Sequence, residues 1–244
     1  MSERLIEYSH FFKLFSDNGM RISEEVYGRL DRYADMLCVT NEKMNLTAIT
    51  DPEGISVKHM YDSIYPFELF KPAEGASLID VGTGAGFPSV PLKIYRPDIR
   101  LTLLDSLNKR VRFLQEISDE LGLGAECIHG RAEETGRFIK SGNPLRESFD
   151  IATARAVANL RELCEYCLPF VKVGGYFAAL KGRDARDELE NAERAIGILG
   201  GELSEVFEYS LPNGDERALI IIRKVRPTPD KYPRNSGQMK KKEL

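Results

Sequence analysis

Apolar residues recur at helical spacing through the first 70 positions and then break into short runs separated by amphipathic stretches. Leu5, Ile6, Phe11, Phe12, Leu14 and Phe15 cluster before Asn18-Gly19 and predict a first helix. Ser23, followed by Glu24 and Glu25, reads as the N-cap of a second helix with the stripe Val26, Leu30, Tyr33, Ala34, Leu37 and Cys38. Asp51-Pro52 has the pattern of a cap with proline in the first turn, opening a third helix toward Phe70 across a polar loop at 41–50. From Ala76 the period changes. Strands are predicted at 77–81, 100–104, 126–129, 149–154 and 175–180, with helices at 87–94, 106–121, 160–170 and 185–199. Two further strands, 202–209 and 218–223, close the pattern without a helix between them. Alternation of this kind implies a parallel sheet covered on both faces. The missing last crossover makes at least one closing strand antiparallel. The expected fold is therefore α/β, a doubly wound sheet of about seven strands. Its expected organisation is a helical extension at 1–72, a sheet domain at 73–225 and a tail at 226–244.

Composition narrows the class. The chain is 42% apolar with 20 Gly and 12 Pro among 244 residues, which excludes collagenous and wholly disordered chains. Cys38, Cys127, Cys164 and Cys167 are too few and too scattered for a disulfide framework, so a reducing, cytoplasmic setting is expected. No apolar run approaches the ~18 residues of a membrane span, and Glu3, Arg4 and Glu7 do not fit a signal peptide. Charge is unevenly divided. The whole chain carries −4, whereas residues 221–244 hold eight basic and two acidic side chains, a local +6 that leaves −10 for the remainder. An acidic body with a basic tail suits either local contact with a polyanion or a solvated tail.

The chemically loaded segment is Asp80-Val81-Gly82-Thr83-Gly84-Ala85-Gly86-Phe87, placed between a predicted strand and a predicted helix. Glycines there let the backbone turn tightly and approach a ligand. Asp105 closes the next strand, 23 residues after Gly82, where ribose hydroxyls of a nucleotide-like ligand would lie. Two ligands fit this frame, a dinucleotide and S-adenosylmethionine. A dinucleotide site prefers Gly or Ala where Phe87 stands, and an acid at Asp80 would repel a pyrophosphate. That acid suits the cationic aminoacyl end of S-adenosylmethionine. Arg131 to Glu134 follow the third strand and Ala154 to Val157 the fourth, where the rest of a cofactor wall belongs.

At these residues the sequence resembles the bacterial small-subunit ribosomal RNA guanine-N7 methyltransferase family, also called glucose-inhibited division protein B. The resemblance is carried by Met44-Asn45-Leu46-Thr47, by His59 with Asp62-Ser63, by Asp80 to Pro88, and by Leu103 to Ser106 with Lys109-Arg110. It continues through Ala132-Glu133, Ala154 to Ala158, Leu180-Lys181-Gly182 and Tyr232-Pro233-Arg234. Ser89 and Gln238-Met239 depart from the family's usual residues. The resemblance implies the class I S-adenosylmethionine-dependent methyltransferase fold. It implies S-adenosylmethionine held by Gly82, Phe87, Asp105, Ala132, Glu133 and Arg155, with Asp80, Gly84 and Gly86 completing the loop. It implies methylation of N7 of a guanine in the 530 loop of 16S rRNA in the 30S subunit, with Arg155 as an orienting residue.

Substrate contacts are expected from Asn45 and His59 in the extension and from Lys181, Arg183, Arg223 and Arg234, with Arg186 and Lys240 to Lys242 adding phosphate contacts. Tyr232 is read either as a base-stacking residue or as tail packing. Cys164 and Cys167 share a helix face and are read as core, and no metal site or membrane contact is expected. A monomer is the expectation. Three other readings stay open on sequence: a methyltransferase for another nucleobase or a protein, an assembly factor that acts by docking, and a dinucleotide oxidoreductase.

Overall fold

Ser23 accepts a hydrogen bond from Val26 N and starts the longest helix of the molecule; of the stripe it was expected to carry, Leu30, Tyr33, Ala34 and Leu37 are buried and Val26 and Cys38 partly so, while Tyr27, not expected, is buried as well. The computed structural model describes residues 5–155 and 157–244; Glu3, Arg4 and Ala156, named above, lie outside them. In chain order the extension comprises α1 (Tyr8–Ser16), α2 (Glu24–Met44), α3 (Pro52–Gly54), a π-helical segment (Ile55–Tyr61) and α4 (Asp62–Phe70). The sheet portion follows as β1 (Ser77–Val81), α5 (Ser89–Tyr95), β2 (Arg100–Asp105), α6 (Asn108–Glu120), β3 (Glu126–His129), α7 (Ala132–Thr135) and β4 (Phe149–Arg155). Next come α8 (Leu160–Cys167) with a 3₁₀ turn (Leu168–Phe170), β5 (Val171–Lys181), α9 (Ala185–Ile198), β6 (Gly201–Ser210), β7 (Glu216–Lys224) and α10 (Ser236–Lys241).

The seven strands lie in the order β3-β2-β1-β4-β5-β7-β6. β1 to β5 pair in parallel, and β7 runs antiparallel to both β5 and β6. This is the Rossmann-like class I methyltransferase arrangement. One apolar cluster joins the extension (Phe11, Phe15, Tyr33, Leu37, Ile64) to one sheet face, while α8 and α9 cover the other. Strand order reverses between β1 and β4, so the crevice at their carboxyl ends is the ligand position of such a sheet.

The structure corrects several boundaries. The expected single helix over 51–70 contains the π-helical segment, which places Lys58, His59 and Asp62 at the crevice. Pro88 delays the helix after the glycine loop to Ser89. Pro169 removes a helical amide and ends α8 early. The two short helices α7 and α10 were not expected, because each is too short to show an apolar period.

Candidate functional site

The carboxyl ends of β1, β2, β4 and β5 open on a cleft of about 970 Å³. Its floor is the glycine loop. Gly82, Gly84 and Gly86 have φ of 73°, 63° and 109°, in the left-handed region that glycine enters without strain. A Cβ on Gly84 would meet nothing within 4 Å, so the bare backbone faces open space. A Cβ on Gly86 would lie 2.6 Å from Val90 Cγ2 and 3.0 Å from the Tyr33 hydroxyl, which itself donates to Ala85 O at 2.7 Å. Gly86→Ala is expected to destabilise the protein by about 2 kcal/mol or more, through positive φ and overpacking together. A thermal melt checks it, and a midpoint equal to wild type contradicts it.

Asp105 fixes the loop from the second strand. Its Oδ2 accepts from Gly84 N at 2.9 Å and its Oδ1 from Leu107 N at 2.8 Å, with Arg110 Nη1 3.6 Å away. Each carboxylate oxygen retains a further lone pair toward the cleft. Asp80 lies deeper, fully buried, with Thr83 Oγ1 donating to Oδ2 at 2.8 Å and, among the described residues, no hydrogen-bond partner within reach of Oδ1. Burial raises its pKa to about 7, against the pull of the Thr83 hydroxyl, the nearby Ser89 hydroxyl and amide, and the Arg155 charge.

The opposite wall comes from β4, the extension and β7. Arg155 Nη1 donates to Lys58 O and Ser63 Oγ, each at 3.3 Å, and meets Asp62 Oδ2 at 3.5 Å. Among the described residues its Nε and Nη2 make no hydrogen bond, so the guanidinium is fixed through one nitrogen only. Its centre sits 5.0 Å from the Phe87 ring centroid. Phe87 stacks on His59 at 4.1 Å and 15°. Asp62, buried, also accepts from Arg217 Nε at 3.3 Å and from the Tyr209 hydroxyl at 3.2 Å. The His59 Nε2 is 2.9 Å from Thr47 Oγ1, and its Nδ1 has no partner among the described residues.

Burial first, and the Arg155 charge second, push the His59 pKa down to about 4. The unfolded chain titrates this ring near 6.5, so it binds the proton more tightly than the fold does. The stability linked to His59 is therefore full above pH 6.5 and is lost as pH falls toward 4, by about 3 kcal/mol. Denaturant titrations of wild type and His59→Gln at pH 7.5 and 4.5 isolate this difference; equal slopes with pH would contradict it.

Two elements complete the site. Lys181 Nζ donates to Ala158 O at 2.7 Å and pairs with Glu188 Oε2 at 2.6 Å, and the same Glu188 oxygen accepts from Leu160 N. These bonds tie the segment after β4 to β5 and α9. Beyond Val157 a second hollow of about 290 Å³ is lined by Ala132 and Glu133 at the start of α7.

Sequence comparison bears on this cleft. The profile of the rRNA small subunit methyltransferase G family matches residues 27–219. The Ribosomal RNA small subunit methyltransferase G of Leuconostoc mesenteroides is 47% identical over 96% of this chain and 98% of its own length. That of Alkaliphilus metalliredigens is 50% identical over 93% and 94%. The chain belongs to the rRNA small subunit methyltransferase G family. Two solved structures share its fold. A geranyl diphosphate methyltransferase in complex with GPP and sinefungin has a TM-score of 0.51 at 11% identity, over 68% of this chain and 78% of that one. The same enzyme in complex with S-adenosylmethionine has a TM-score of 0.50 at 12% identity, over 68% and 85%.

The residues expected at the site fall into separate groups in the structure. Gly82, Gly84, Phe87, Asp105, Arg155, His59 and Lys181 line the main cleft, Ala132 and Glu133 the adjoining hollow, while Asp80 and Gly86 sit beneath the loop. Asn45 does not join them. It is the exposed, left-handed C-cap of α2 (φ 49°), and Leu46 and Thr47 line the cleft instead, held by the Asn41 side chain. Lys181 is buried in its pair with Glu188 rather than presented to phosphate. Arg223 lies at the far end of the sheet, opposite Tyr176, because β7 runs antiparallel; the same reversal brings Arg217 to the cleft. Arg234 is committed to buried Glu165, with Nε at 2.9 Å and Nη2 at 2.7 Å. Arg183 is exposed beside Gly182 with no partner among the described residues, and Arg186 pairs with Glu208. Tyr232, Cys164 and Cys167 are packed in the core. Arg217, Tyr209 and Glu188 were missed, and no local motif marks them; the topology alone brings them in.

Proposed function

We propose that this chain transfers the methyl group of S-adenosylmethionine to N7 of a guanine in the 530 loop of 16S rRNA. The observation that carries this reading is the state of the cleft's titratable groups. Asp62 is engaged by two arginines, Asp105 by two amides and Glu188 by Lys181, and His59 is a weak base. None of these four is placed to remove a proton, and Asp80, whose pKa burial raises to about 7, lies beneath the loop rather than in the cleft lining. N7 presents a lone pair on the major-groove edge and carries no proton to remove.

The residues present fit the cofactor. The unpartnered Oδ1 of buried Asp80 suits an ammonium, the free lone pairs of Asp105 suit ribose hydroxyls, and the open face of Gly84 admits close approach. Asp80 would hold the amino end, Asp105 the sugar, Ala132 and Glu133 the adenine end, and Arg155 with Phe87 the methionine end. When bound, S-adenosylmethionine supplies an electrophilic methyl group on a sulfonium. The chain's task is orientation, and good alignment supplies roughly 7–11 kcal/mol of a barrier. The stacked His59–Phe87 pair offers an aromatic face for the base. Arg155 orients without placing an uncompensated cation beside the purine, because Asp62 accompanies it. Arg183, exposed at the rim without a partner among the described residues, meets phosphate. On this reading residues 1–72 form the base-positioning extension and 73–225 the cofactor domain. Among the described residues no helix is long and apolar enough to cross a membrane, and the ribosomal substrate supports a cytoplasmic setting.

Equilibrium dialysis with labelled S-adenosylmethionine and labelled NAD, followed by transfer to isolated 30S subunits, tests the proposal. Retention of the first label only, and recovery of 7-methylguanosine from the digested rRNA, is the expected result. Retention of NAD, or label in another nucleoside, contradicts it.

A further inference from the structure

The basic tail is docked rather than free. Arg146 donates to Thr228 O at 2.7 Å and to Tyr232 O at 2.8 Å. Arg234 grips Glu165 of α8, which is 2% exposed, and donates through Nη1 to Lys242 O at 2.7 Å. Asn235 and Gln238 form a reciprocal capping box that starts α10. Met239 is 6% exposed, and Arg161 pairs with Glu243. These anchors bring Ser236 and Lys240 into the wall of the hollow whose other sides include Ala132, Glu133, Glu162 and Tyr166. Ser236 and Lys240 are the tail's contribution to that lining.

We propose that α10 is a wall of the donor site, closing the adenosine end so that the docked tail retains S-adenosylmethionine. This rests on the cofactor assignment above. Met239 and Arg234 act as positioning residues, seating the helix, and Lys240 faces the ligand. The basic charge of the tail then serves the donor site in part, instead of gripping RNA alone.

The test uses the full-length chain and its Met239→Asp, Met239→Leu and Lys240→Ala variants, with a chain ending at Asn235 as a second way of removing the helix. S-adenosylhomocysteine binding is measured by calorimetry, and steady-state kinetics are run with S-adenosylmethionine and 30S subunits. Met239→Asp and the shortened chain are expected to raise the Kd for S-adenosylhomocysteine and the KM for S-adenosylmethionine about tenfold, equivalent to about 1.4 kcal/mol. The expected KM for 30S subunits and kcat at saturating donor stay within about twofold. Met239→Leu restores wild-type binding, and Lys240→Ala gives a smaller rise. Unchanged Kd in both helix-removing variants overturns the proposal. So does a raised KM for 30S subunits with unchanged donor Kd, which would make the tail an RNA grip. Failure of the wild-type chain itself to bind S-adenosylhomocysteine would instead overturn the cofactor assignment.

Discussion

Asp80→Asn is expected to raise the stability of the unliganded protein at pH 8 while weakening S-adenosylmethionine binding about 100-fold, the scale for loss of one partner of a buried charge pair. Both effects come from one buried oxygen. Among the described residues Asp80 Oδ1 has no partner, and burial raises the carboxyl pKa from 3.8 to about 7. A folded-state pKa above the unfolded one means that the fold binds this proton more tightly. The associated stability is full below pH 3.8, declines as pH rises toward 7 and is absent above it. At pH 8 the ionised group costs the unliganded fold a few kcal/mol, of which Asn, keeping an acceptor for Thr83, recovers about 1–3 kcal/mol. The gain should shrink as pH falls toward 5. Thermal melts at both pH values and calorimetry with S-adenosylmethionine read the two effects. A variant that loses stability at pH 8, or binds the donor as well as wild type, would remove Asp80 from the amino end. The pattern is a site that sacrifices stability for a ligand's charge.

Arg155→Ala should lower single-turnover methylation of 30S subunits by about 100-fold with the fold intact, in line with losses seen when an orienting contact is removed. Its guanidinium is anchored through Nη1 to Lys58 O, Ser63 Oγ and Asp62, leaving the other edge toward the cleft. Arg217 still faces Asp62 in the variant, so the buried carboxylate keeps a cationic partner and the thermal midpoint should move by only a few degrees. Arg155→Lys should recover little, because a lysine lacks the planar fork that fits between Asp62 and Phe87. An unchanged single-turnover rate for Arg155→Ala would reject the orienting role.

The periodicity of the chain carried the sheet with little loss. The strand expected at 126–129 agrees residue for residue, and the missing crossover between the last two strands appears as antiparallel β7. The glycine loop, Asp105 and Arg155 were legible because strand ends place them: whatever follows a parallel strand reaches the crevice. Arg223 and Arg217 show where that logic stops. On a strand of reversed direction the first residues, not the last, reach the cleft, and a sequence does not announce direction. Lys181 and Arg234 fail for another reason. Both looked like free cations, and both meet a glutamate from a distant helix, Glu188 and Glu165. Long-range ion pairing leaves no periodic trace, so a basic residue beside a cleft reads alike whether it is spent or available. The π-helical turn that brings His59 onto Phe87 was equally silent, since its apolar pattern differs little from that of an ordinary helix.

The most direct test of the central claim is chemical mapping of the product. 30S subunits lacking the modification are incubated with the protein and S-adenosylmethionine, and the 16S rRNA is then reduced with borohydride and treated with aniline, which cuts the chain at 7-methylguanosine. One new enzyme- and donor-dependent cut within the 530 loop is the predicted result. Methyl incorporation without a cut, or a cut elsewhere in the rRNA, would contradict the account.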